Sequence, residues 1–234
     1  MISQFDHVTF SSPMLEPYRR LFSELGYRER FTDRGVRNLE IKRPFVKELM
    51  PTINISFFDA PEAMSVEVIE QGRSEDVFSL IFPITDNVLL TDIETRSDRI
   101  PNLRRDGSPT RSFVIKVANI AASTRLWVDG LGCKHVARDV GRCELQFRSP
   151  FQNHAFHFYL VEDPFLPQHF SLDAYGFMYF ALVCTSPRRD RERLRELGFE
   201  VTDIERSEVH GKQLSFFFVT GPFVSPVEII GIEA

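Results

Sequence analysis

Apolar and polar positions along this chain spell one phrase three times: a short apolar strand, an amphipathic helix ending in Leu-Gly plus an aromatic residue or Cys, then alternating strands closing on a Pro-led segment. In the first copy, Phe5-Asp6-His7-Val8-Thr9-Phe10 reads as a strand, and Leu15, Tyr18, Leu21, Phe22 and Leu25 recur at helical spacing. The helix is expected from near Pro13 to Gly26, whose missing Cβ suits a left-handed cap. Strands are expected over Tyr27 to Thr32, Val36 to Ile41 and Ile53 to Phe58, with extra length between Arg43 and Thr52, before the strand that contains Glu67-Val68-Ile69.

The third copy repeats this order more tightly. A strand at Phe180-Ala181-Leu182-Val183 leads to a charged helix over Arg188 to Leu197, stopped at Gly198, and strands are expected near 199–205, 213–219 and 226–232. In both copies a Glu stands six residues after a Pro, Glu67 after Pro61 and Glu228 after Pro222, and opens an apolar strand end. The middle copy is degenerate: strand Ser112 to Val117, helix Ile120 to Leu131, strands Cys143 to Phe147 and Ala155 to Val161. Its counterpart of the repeated glutamates is Phe156 or, with one insertion, His157.

This gives a first β-α-β-β-β module over 1–72, an irregular connection over 73–110, a second module over 111–163 and a third over 176–234. The connection is too short for another unit and too long for a simple linker. It is expected to hold an apolar strand within Val77 to Ile84, a short helix near Asn87 to Ile93 and a polar loop from Arg104 to Pro109. Duplicated units that bury their faces against one another imply an α+β protein with a shared cleft.

Composition narrows the partners. A chain of 234 residues, 43% hydrophobic, can supply a core. Its net charge of -5 is of mixed sign, with no basic stripe to neutralise phosphates, so no nucleic acid is expected. The densest basic cluster, Arg188 to Arg193, is interleaved with acids and reads as a solvated helix face. Neither a signal peptide nor a membrane-spanning run is legible, and Cys133, Cys143 and Cys184 form no paired framework, so a cytoplasmic location is expected. The 23 Phe residues are mostly core, and a cleft walled by some of them suits an aromatic or apolar ligand. Phosphate-cradling Gly-rich loops, a GxSxG elbow and HExxH are absent.

A β-α-β-β-β unit with His near the end of its first strand and Pro-x5-Glu leading its last resembles the vicinal oxygen chelate superfamily, which includes glyoxalase, extradiol dioxygenases and bleomycin-binding proteins. The resemblance implies that two units pair into an open cup of curled mixed sheets, with a divalent metal held by residues of first and last strands. His7 matches the first-strand ligand, Glu67 the last-strand ligand of the same unit, and Glu228 the same position in the third copy. At the first-strand position the second copy has about Ser112 and the third about Phe180, neither a good ligand. A third ligand is then His157 if the first copy pairs with the second, or Glu228 if it pairs with the third.

Such a ligand set leaves open metal positions for two neighbouring substrate oxygens, with Fe(II), Mn(II), Ni(II) or Zn(II) as the cofactor. The resemblance further implies that Glu228, leaving the metal, can act as catalytic base. The expected function is a metal-dependent enzyme of glyoxalase or dioxygenase type acting on a small oxygenated molecule. The alternative is a metal-free small-molecule-binding protein of the same fold, of the antibiotic-sequestering type. An unpaired third unit makes pairing across a homodimer sensible.

Overall fold

The first strand, β1 (Ile2–Ser12), is buried along almost its whole length, because it lies in the middle of the larger of two sheets. A computed structural model describes residues 1–24, 26–71, 88–89, 111–163, 172, 176–221 and 224–232. The first module continues with α1 (Glu16–Glu24), β2 (Arg28–Arg37), a 3-10 turn at Glu40–Phe45, β3 (Thr52–Asp59) and β4 (Ser65–Glu70). The strand expected over Tyr27 to Thr32 continues to Arg37 as β2, with an irregular register where Asp33 and Val36 pair across to Ile55 and Ile53, and of the strand expected over Val36 to Ile41 only Val36 and Arg37 are in it. The 3-10 turn begins within that expected strand, at Glu40, and only its end, Arg43 to Phe45, falls in the extra length expected between Arg43 and Thr52.

Of the connection, the described residues are Val88–Leu89, which form a strand, β5, rather than the expected helix. The apolar run at 77–84, the polar loop at 104–109 and the helical residue Leu25 lie outside the described residues. The middle module contains β6 (Ser112–Val117), α2 (Ile120–Arg125) running into a π-helical turn at Leu126–Gly130, β7 (Lys134–Asp139), β8 (Arg142–Arg148) and β9 (Ala155–Glu162). Exposed along its whole length, β7 has no buried face and so no hydrophobic alternation to announce it. The third module runs β10 (Gly176–Cys184), α3 (Pro187–Glu196), β11 (Glu200–Val201), β12 (Glu205–Val209), β13 (Lys212–Gly221) and β14 (Val224–Ile232).

The recurring Leu-Gly phrase has one physical meaning. Gly26 and Gly198 adopt φ of 82° and 81°, a left-handed conformation that costs glycine nothing. Each lets the next residue turn back on its helix, with Tyr27 N–H donating to Phe22 O at 2.8 Å and Phe199 N–H to Leu194 O at 3.1 Å.

Modules one and three join through β1 and β10, which run antiparallel with His7 opposite Ala181 and Thr9 opposite Tyr179. Within each module the first and last strands are parallel neighbours, β1 with β4 and β10 with β14. The result is one mixed sheet in the order β11-β13-β14-β10-β1-β4-β3-β2, with β12 beside β13. The sheets are not closed, and the expected α+β architecture of mixed sheets is what the chain adopts.

The middle module forms its own sheet, β5-β6-β9-β8-β7. Its apolar side packs on the back of the β1–β10 seam, so the sheet there is buried on both faces. Phe5 sits at that contact, with ring centroids 4.7 Å from Phe158, 4.8 Å from Phe147 and 5.9 Å from Trp127. Val8, Val66, Phe180 and Ile229 extend the same apolar cluster, which also takes in Phe22 of α1 and Leu194 of α3.

Candidate functional site

Alternation along the central strands sends one residue in two to the opposite face, into a cavity of about 480 Å³ enclosed by modules one and three. A register shift between Phe5 and His7 breaks the alternation at one place. The extra residue, Asp6, lets two consecutive side chains, Asp6 and His7, reach the same cavity, the usual effect of a bulge beside a site. The walls are mostly apolar, with Phe31, Ile55, Phe57, Ile69, Leu214 and Phe216 among them, and Arg30, Arg37, His210 and Lys212 also line the cavity.

The floor is not apolar. His7 (3% exposed), Lys42 (4%), Tyr179 (1%) and Glu228 (3%) are buried there, and Glu67 joins them. Asp6 Oδ2 lies 2.7 Å from His7 Nδ1 and fixes the ring, which meets Phe57 edge-on at 5.3 Å. The other ring nitrogen, Nε2, is buried, points to Glu67 Oε2 at 3.5 Å and makes no hydrogen bond. Thr9 Oγ1 donates to the same Glu67 oxygen at 3.1 Å. Lys42 Nζ donates to the Tyr179 hydroxyl at 2.9 Å.

Electrostatics divides the two glutamates. Burial would raise Glu67, but His7, Lys42 and the Thr9 hydroxyl outweigh it and hold the carboxyl below its usual range. Burial pushes Glu228 up, Lys42 offsets this only in part, the negative Glu67 adds to it, and the carboxyl reaches about 7. Burial likewise works against a charged His7, yet Glu67 and Asp6 prevail and raise the imidazole to about 10. The phenol of Tyr179 is held well above its ordinary value, by burial first and then by Glu228 and Glu67.

The structure brings three of the four sequence candidates, His7, Glu67 and Glu228, into this one cavity. It does not bring His157 there. His157 stands on β9 in the other sheet, beside Glu144 (3.2 Å) and Gln146 (3.2 Å), because the first module pairs with the third and not the second. The place in the third module that matches His7 belongs to Tyr179, not Phe180, which points to the back cluster. Lys42 carried no sequence signal. It rides on the 3-10 turn, a segment without periodicity, between the strand expected up to Ile41 and the extra length expected from Arg43.

As a divalent-metal site the arrangement is incomplete. The unbonded Nε2 of His7 and the nearby Glu67 suit a cation, and an aspartate behind a ligating imidazole is a common support. Yet among the described residues no three His, Cys, Asp or Glu side chains form a group that could hold a metal ion, and a buried ammonium shares the floor.

No family model and no curated protein matches the chain. Solved structures similar to it include a glyoxalase/bleomycin resistance protein/dioxygenase from Alicyclobacillus acidocaldarius, at 16% identity and TM-score 0.40, covering 53% of this chain and 90% of that one. A glyoxalase family protein from Enterococcus faecalis is similar at 20% identity and TM-score 0.39, over 50% and 92% of the two chains. Glyoxalase I from Zea mays is similar at 12% identity and TM-score 0.39, over 98% of this chain and 68% of that one. No helix among the described residues is long and apolar enough to cross a membrane.

Proposed function

We propose that the cup between modules one and three binds a small, largely apolar or aromatic molecule with a carbonyl oxygen, and that the protein moves a proton on it. The observation that carries this reading is the gathering of His7, Lys42, Glu67, Tyr179 and Glu228 on the floor of a cavity whose walls are largely aromatic and aliphatic. Burying ionisable groups costs several kcal/mol each unless partners compensate, so a fold that needed only a core would place apolar side chains there. A cavity of this size suits a small organic ligand.

The roles follow from the environments. Glu228 is the group whose proton affinity lies near neutrality, the condition for a general base or acid. His7 and Lys42 supply positive charge where negative charge would develop on the ligand oxygen. Glu67, held ionised, keeps the imidazole charged and fixed.

The test is solvent exchange at the carbon next to a carbonyl, followed by proton NMR in deuterium oxide with phenylacetone and phenylacetaldehyde as probes. Wild type is expected to catalyse exchange on at least one probe, and Glu228→Gln to lower the rate about 100-fold or more. Exchange that persists unchanged in Glu228→Gln, or its absence with every probe, overturns the reading.

A further inference from the structure

We propose that the Lys42 ammonium is the resident cation of this cup and stands in for the divalent metal that the family resemblance calls for. The inference rests on the cavity proposed above as the binding site, but it concerns what neutralises the floor and not which proton moves.

Three carboxyl groups line this one cavity, the part-exposed Asp6, the mostly buried Glu67 and the buried Glu228. Acidic groups gathered in one cavity are unstable when ionised unless positive charge compensates them, and a divalent cation is the usual remedy. Here the compensation comes from the chain. The ammonium of Lys42 lines the same cavity, is almost wholly buried and is tethered to Tyr179. Its charge acts on both Glu67 and Glu228. His7 stands between two of these acids, its Nδ1 2.7 Å from Asp6 Oδ2 and its Nε2 3.5 Å from Glu67 Oε2.

Lys42 is not there by accident of a floppy side chain. The turn that carries it is clasped from the third module by Glu205, whose Oε1 accepts from Arg37 Nη2 at 2.7 Å and whose Oε2 accepts from the Ile41 amide at 3.0 Å. Asn38 ties the entry of the turn to the Met50 carbonyl at 3.1 Å, and its own amide donates to Pro51 O at 3.0 Å. The third module has no counterpart, since β12 and β13 are joined through His210 and Gly211 alone. The insertion is therefore the device that brings a cation into one half of the cup. A second, divalent charge placed beside the ammonium would meet like-charge repulsion in a pocket of low dielectric.

The experiment measures metal on the folded protein. Wild type, purified without chelator, is analysed by plasma mass spectrometry, then titrated calorimetrically with Mn(II) and Zn(II), alongside Lys42→Ala and Lys42→Gln. Wild type is expected to carry no stoichiometric metal, to bind neither ion specifically and to melt at the same temperature with and without EDTA. Lys42→Ala and Lys42→Gln, freed of the ammonium, are expected to bind one equivalent at least about tenfold more tightly than wild type, and His7→Ala in the same background to abolish that gain. One equivalent of metal in wild type, or a melting temperature lowered by EDTA, overturns the proposal even if the lysine variants do not fold. Folded variants that gain no metal overturn it as well. Proton exchange by metal-free wild type is a separate readout, so this inference and the proposed activity can fail independently.

Discussion

Glu67 and Glu228 hold equivalent places in modules one and three, each paired in register with the second inward residue of its opening strand, Thr9 in one half and Ala181 in the other. Two residues earlier the halves differ again, with His7 against Tyr179. Glu67 thus has a hydroxyl donor and an imidazolium beside it and stays ionised, whereas Glu228 faces a methyl group and a phenol already bonded to Lys42 and keeps its proton to about pH 7. The same backbone position gives a permanent charge on one side and a titratable group on the other. Two side-chain exchanges on neighbouring strands account for the difference.

Breaking the charged half should have the largest effect. His7→Ala leaves Glu67 and Asp6 without their shared partner and is expected to cost about 3–5 kcal/mol in urea unfolding at pH 7. Because the folded imidazole is raised to about 10, its contribution is complete below pH 6.5 and is lost as the pH climbs through 10. A loss under about 1 kcal/mol would show that Glu67 is held by something else.

Neutralising the other half should do the opposite. The folded Glu228 carboxyl is raised from 4.5 to about 7, so its stabilising contribution is complete below pH 4.5 and disappears as the pH rises through 7. Glu228→Gln cannot ionise, and is expected to be more stable than wild type by about 2–3 kcal/mol at pH 8, with the advantage shrinking toward zero near pH 4. An equal effect at both pH values would mean that Glu228 ionises normally.

Making the halves alike sharpens the contrast. Thr9→Val removes the hydroxyl that donates to Glu67 and is expected to cost about 1.5 kcal/mol, with Glu67 titrating at higher pH when followed by carboxyl NMR. The smallest effect belongs to the mouth. His210 stacks on Phe31 at 4.4 Å but is half-exposed, so His210→Ala should cost about 0.5 kcal/mol in urea unfolding and leave the exchange rate of a bound probe within about twofold. A larger change in that rate would show that mouth and floor are coupled.

Much of this was legible in the chain. The repeated Pro-x5-Glu and the Leu-Gly caps place Glu67, Glu228 and the ends of all three helical segments, because turns and caps restrict residue type locally. His7 stood out on its strand. The pairing of modules was not legible, since the apolar edges of β6 and β10 look equally fit to meet β1, and so His157 and Glu228 remained rivals. Tyr179 was displaced by one residue, because Met178 to Val183 is buried on both faces and a continuous apolar run has no alternation from which to read a face. Lys42 was illegible because its burial depends on a clasp from Glu205, far away in the chain.

One small strand also sets the stoichiometry of the molecule. Val88 and Leu89 lie antiparallel against β6, opposite Ile115 and Val114. They cover the flank by which an opening strand would meet another module, as β1 meets β10. Two of the three repeats therefore build a single chamber while the remaining one is spent as its foundation, and saturation with any ligand of that chamber should stop at one molecule per polypeptide.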